Sequence, residues 1–103
     1  MQVLTEGHSY ALQNFESENT SQGLNFIHKK PAEDGTANLI TVQDGTTNEE
    51  VLKVLINRME YLQAKFPCVE NEIAINNLKS ALAVLELRTA SRVARGVEGK
   101  QLK

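Results

Sequence analysis

Two periodicities divide the chain, and they meet near Gly45. Before it, short β-favouring runs at 10–15, 23–28 and 38–43 alternate with polar stretches at 16–22 and 29–37. Those stretches contain Ser, Asn, Pro, Asp and Gly, the residues of hairpin loops. Three runs joined in this way predict an antiparallel meander. Leu12/Phe15, Leu24/Phe26 and Ile40/Val42 supply its apolar face, although the alternation in the first run is imperfect.

After Gly45 the period becomes helical. Thr47 and Glu50 fit a capping box, in which each side chain satisfies a backbone N–H of the other. Val51, Leu52, Leu55, Met59, Leu62 and Phe66 then recur at steps of three and four. Pro67 ends this helix, because the residue before a proline is pushed out of helical geometry. Asn71 can cap a second helix, with a stripe of Ile73/Ala74, Leu78, Ala81/Leu82 and Leu85. Arg95 and Gly96 provide a basic last turn and a glycine stop. The short link between the two predicts an antiparallel helical hairpin. The expectation is one α+β domain spanning 1–103: a small N-terminal antiparallel sheet (1–45), a two-helix hairpin (46–96) and a flexible tail (97–103).

Length and composition narrow the function. With 103 residues the chain is too short for an enzyme with separate cofactor and substrate halves, and a core this small favours self-association. The single Cys68 forms no internal disulfide, and His8 and His28 make no zinc cluster. No apolar run approaches the ~20 residues of a membrane span. A net charge of −2 argues against binding a nucleic-acid polymer. That average hides an asymmetry. Residues 1–48 carry two lysines against six acids, whereas residues 87–103 carry five basic groups against Glu98 alone.

No catalytic arrangement stands out. Cys68 has no histidine near it in sequence, and its ordinary reading is a small structural thiol. The Asp44-Gly45-Thr46-Thr47 stretch lacks the glycine spacing and lysine of a phosphate loop and reads as a turn feeding a helix cap. Binding chemistry is better represented. Arg88 and Arg92 share a helical face, and paired guanidinium donors grip phosphate. From spacing alone the plainer reading, basic residues that complement the helix dipole with no ligand, is the stronger one. Tyr61 offers a ring for stacking or for the core, and Asn71 an amide for a base edge or a cap.

Length brings these residues together only across chains. Arg88 lies 17 residues beyond Asn71, roughly 25 Å along a helix at ~1.5 Å per residue. One chain cannot close both ends around a small ligand. Two hairpins related by a two-fold axis can, and they generate two equal pockets.

These segments resemble a known family. Residues 44–66, with their Thr-Asn-Glu-Glu-Val-Leu opening, are similar to the first helix of the phage Thoeris anti-defence type 1 proteins. Residues 67–99 continue the resemblance through Pro-Cys-Val-Glu-Asn and Ala-Ile-Asn-Asn-Leu to the ending Arg-Thr-x-x-Arg-x-x-Arg-Gly-Val-Glu-Gly. The runs Tyr-Ala-Leu-Gln-Asn-Phe-Glu and Leu-Asn-Phe-Ile-His-Lys resemble that family's sheet, so the likeness covers about residues 10–99.

The resemblance implies a non-enzymatic sponge acting in the cytoplasm of an infected bacterium, with no cofactor. It would hold cyclic ADP-ribose isomers intact and so deny the signal to the defence effector. It also implies a homodimer, or a trimer of dimers that takes cyclic di- or trinucleotides as well. By position, Tyr61, Asn71, Arg88 and Arg92 match the family's ligand-binding aromatic, asparagine and arginine pair. The family commonly has phenylalanine where Tyr61 stands, and tyrosine keeps the stacking face. Arg58, near Tyr61 on the first helix, is a supporting charge. The alternatives are capture of cyclic oligonucleotides, or a protein-interaction module whose basic end docks an acidic partner.

Overall fold

A computed structural model describes residues 1–102. The chain divides into two compact units between Thr47 and Asn48, two residues beyond the sheet boundary expected from sequence.

The first unit contains five strands in two sheets. Strands β1 (Gln2–Thr5), β2 (Ser9–Gln13) and β3 (Ser21–Asn25) form an antiparallel meander in that order. Strands β4 (His28–Pro31) and β5 (Leu39–Gln43) form a separate antiparallel pair. The expected meander of three short runs therefore splits. The run at 23–28 spans the end of β3 and the start of β4, and β1 precedes anything the pattern marked.

The junction is held by backbone. Thr46 N–H donates to the Asn25 carbonyl at 2.8 Å, and Ile27 N–H donates to the Thr46 carbonyl at 2.9 Å. Gly45 permits this approach, since a Cβ there would lie 2.6 Å from both the Asn25 oxygen and the Phe26 carbonyl carbon. The turn read at Asp44 and Gly45 is thus a contact point where only glycine fits.

Rings complete the unit. The imidazoles of His8 and His28 stack with centroids 3.7 Å apart and planes 8° from parallel. Tyr10 meets Phe26 edge-to-face at 6.0 Å. The anticipated single apolar face is corrected on two points. Phe15 follows β2 in a loop and is 98% exposed, and Leu12 on β2 and Ile40 and Val42 on β5 are exposed as well. Dividing the strands between two sheets removes the common surface that those residues would have shared.

The second unit is the helical hairpin. Helix α1 (Asn48–Lys65) starts directly after Thr47 and stops before Pro67, as its sequence signals require. Helix α2 (Val69–Ala94) starts at a different cap from the one expected. Cys68 is in extended geometry and its Sγ accepts from Asn71 N–H at 3.4 Å, so Cys68 is the N-cap and Asn71 lies inside the first turn. The Gln63 side chain accepts from Cys68 N–H at 3.0 Å and closes the turn.

Ile56 and Ile75 are the buried apolar residues of the hairpin, and Leu52, Met59, Leu78, Leu82 and Leu85 are half-buried around them. Both helices are therefore rotated slightly from the stripes read in sequence. Leu55, Phe66 and Ile73 lie on the flanks and are exposed. Glu60 and Lys79 approach to 3.8 Å across the pair, marking the antiparallel register.

Helix α2 ends in a Schellman motif. Gly96, with φ of +70°, donates to the Val93 carbonyl, and Val97 N–H donates to the Arg92 carbonyl. Residues 97–102, expected as a loose tail, then turn back over the end of α2 and meet the Arg92 side chain.

Candidate functional site

Tyr61 and Arg58 lie one helical step apart on α1, and both are exposed. Lys65, one turn beyond Tyr61, places its ammonium 4.9 Å from the centre of the tyrosine ring. The ring is 53% exposed, so it is a surface platform and not part of the hairpin core. The lysine is a basic group that the sequence reading missed. Its signal was the four-residue spacing from an aromatic.

Asn71 is half-buried in the first turn of α2, and its backbone N–H is taken by the Cys68 sulfur. Capping was one of its two sequence explanations, and that role belongs to Cys68. The Asn71 side-chain amide is therefore not used as an N-cap.

The arginine end behaves unevenly. Arg88, Arg92 and Arg95 follow at steps of four and three and face the same side of α2. Arg88 is exposed and makes no hydrogen bond or ion pair with the described residues. Arg92, one turn later, is 7% exposed. Its Nε–H donates to the Glu98 carboxylate at 3.2 Å, and Nη2 donates to the carbonyls of Val97 at 2.8 Å and Lys100 at 2.9 Å. Nη1 donates to the Leu102 carbonyl. Four of the five guanidinium N–H donors are thereby engaged within the chain. The expected arginine pair is one presented cation and one held cation.

The register separates the two ends. Because Glu60 faces Lys79, Tyr61 lies about level with residue 78, some ten residues from Arg88 and roughly 15 Å along the axis. Asn71 is farther still. The structure therefore does not gather Tyr61, Asn71, Arg88 and Arg92 into one pocket within a single hairpin. Arg58 lies between the two ends, level with residue 81 by the same register.

Residues 23–90 match the family described as Acb2/Tad1, hairpin domain. The chain belongs to the Acb2/Tad1 hairpin family. The matched segment begins inside β3 at Gly23, includes β4, β5 and all of α1, and in α2 it ends two residues past Arg88. The chain is also 46% identical over 57 residues to "Thoeris anti-defense 1" of Bacillus phage SBSphiJ7. That alignment takes in 54% of this chain and 40% of the relative, so the chain matches less than half of that protein's length. The resemblance drawn from the residues is borne out. The family match closes before Arg92, so residues 97–102, a strap that holds this arginine, lie outside it.

Other chemistry is sparse. Among the described residues no group of three or more His, Cys, Asp or Glu side chains could hold a metal ion, and no helix is long and apolar enough to cross a membrane. An open, mostly polar cavity of about 370 Å³ lies in the sheet unit, lined by residues that include Gln2, Gln13, Glu18 and Ser21. Its lining has no lysine, arginine or histidine side chain to meet a phosphate. Asp34 is held below the ordinary carboxylate value by hydrogen bonds from the Thr36 hydroxyl and Thr36 N–H, an arrangement confined to an exposed loop.

Proposed function

We propose that this Acb2/Tad1 hairpin protein is a phage anti-defence sponge that binds cyclic ADP-ribose isomers and keeps them intact. The observation that carries the reading is the family match over the hairpin, supported by the relative named for Thoeris anti-defence. The proposed site residues fit the ligand's chemistry. Tyr61 presents a ring for adenine, with Lys65 adding positive charge at its face. Asn71 offers an amide for a base or ribose edge. Arg88 is an exposed guanidinium for the diphosphate, Arg92 follows one turn on, and Arg58 lends charge from α1. No step of turnover is invoked, and no cofactor.

On this reading the site is intersubunit, and the axial spacing supports it, since one hairpin keeps these residues apart. A second hairpin packed antiparallel brings its arginine end to the first hairpin's turn end. A second apolar stripe on α2 supports such pairing. Val69, Ile73, Val84 and Leu87 recur at helical spacing, away from Ile75, and each is more than half exposed. Competing for a signal at nanomolar to micromolar levels needs about −10 to −12 kcal/mol. Base stacking with charge-assisted phosphate contacts in a water-poor interface is of the right kind to supply it.

Calorimetry with purified cyclic ADP-ribose isomers tests the reading, followed by heat release of the bound ligand and its chemical identification. Intact ligand, at one molecule per chain of a dimer, is the expected result. Absence of binding, or release of a cleaved product, overturns it. Binding of cyclic oligonucleotides instead would move the function to that second class of signal.

A further inference from the structure

The Arg92 guanidinium, which is 7% exposed and donates to a carboxylate and three carbonyls, already has an anion site around it, and the chain fills that site itself. The two sides of this contact are unequal. The Arg92 side chain is 8% exposed, whereas Glu98 is 47% exposed, so the acid can leave toward water while the base stays in place.

We propose that Glu98 is the resident counter-anion of this arginine and sets its affinity for phosphate: a diphosphate reaches Arg92 by displacing the Glu98 carboxylate and lifting the strap 97–102. The idea rests on the sponge reading, because it concerns the same arginine end. Arg88 is the exposed landing charge one turn earlier, and Arg92 is the cation released by exchange. A carboxylate brings one negative charge to the fork. A diphosphate brings two and spreads them over more acceptor oxygens, so it replaces the carboxylate at a gain in charge-assisted bonding. The carbonyl partners are neutral and more weakly held.

Gly96 and Gly99, at φ of +70° and +78°, bracket Val97 and Glu98 and let the segment swing without backbone strain. Discrimination follows from the competition. A singly charged ligand gains little over Glu98, and a diphosphate gains most.

The test uses the full chain with two probes, inorganic pyrophosphate and a cyclic ADP-ribose isomer, and reads amide hydrogen exchange in 97–102. In the free protein Lys100 N–H is bonded to the Val97 carbonyl and should exchange slowly. With either probe its exchange should accelerate as the strap lifts. Glu98→Gln keeps the shape and removes the charge, so pyrophosphate should bind about three- to ten-fold tighter. Arg88→Ala should weaken binding while leaving the free strap protected.

A strap that stays protected in the saturated complex overturns the proposal, as does an unchanged or weaker affinity in Glu98→Gln. If the cyclic isomer does not bind but pyrophosphate lifts the strap, the sponge reading fails and the exchange stands. If the isomer binds beneath a protected strap, the reading stands and the exchange fails.

Discussion

The two units are stabilised in opposite ways. The sheet unit, residues 1–47, has no buried side chain; hydrogen-bonded ladders, one close backbone contact at Gly45 and two ring pairs organise it. The hairpin has a small interior, with Ile56 and Ile75 buried between its helices and Arg92 buried at its end. Both keep large apolar side chains in water, Phe15 in the first and Val84 and Leu87 in the second. A chain that leaves this much uncovered gains from association. The contrast teaches that the hairpin can hold ligand-binding side chains at fixed spacing, whereas the sheet depends on local backbone geometry.

The sharpest way to break the contrast is to empty the hairpin interior. Ile75→Ala should lower stability by about 2–4 kcal/mol in urea unfolding followed by helical circular dichroism. Leu24→Ala, at the half-buried position of an otherwise exposed β3, should cost about 1 kcal/mol. An equal effect would mean that the sheet too has a working core. Next in size is Gly45→Ala, which forces a methyl group against the Asn25 and Phe26 backbone. It should cost about 1–3 kcal/mol in thermal melts of the sheet signal, without changing ligand binding.

Arg88→Ala probes function alone. Stability should move by no more than about 0.5 kcal/mol because the side chain is exposed, while calorimetry should show retention of the cyclic isomer falling at least about ten-fold. The smallest effect belongs to Asp34. Its carboxyl is held below the ordinary value of about 3.9, so the loop's contribution is complete above that pH and lost as pH falls through the lower folded value. Asp34→Asn should remove this acid dependence in titrations of Thr36 amide shifts and leave neutral-pH stability almost unchanged.

Sequence patterning was most informative where local signals stand alone. Both helices stop where Pro67 and Gly96 dictate, and α1 starts where Thr47 and Glu50 place it. It was least informative where the outcome depends on what lies opposite. The apolar arc of α1 is wider than one partner helix can cover, so choosing its centre by counting picked Leu55 and Phe66 and passed over Ile56. The cap at Cys68 was passed over in favour of Asn71 because a thiol is a weaker and less expected acceptor than an amide oxygen. Strand β4 was hidden because its polar residues, Lys29 and Lys30, sit in a sheet of two strands whose pattern need not alternate.

In the site, the types and spacing of Tyr61, Asn71, Arg88 and Arg92 could be read directly. The holding of Arg92 could not, because it depends on a reversal at Gly96. The signals for it were an acid six residues on and two glycines around it.

The register marked by Glu60 and Lys79 has a mechanical consequence. It sets Ile75 level with residue 64 of α1, eight residues from Ile56, so the two buried isoleucines act as pins roughly 12 Å apart along the axis. One pin would leave the helices free to swivel, whereas two resist torque. The hairpin can therefore serve as a stiff gauge block: a second chain that seats on one of its ends finds the other end already at the correct distance.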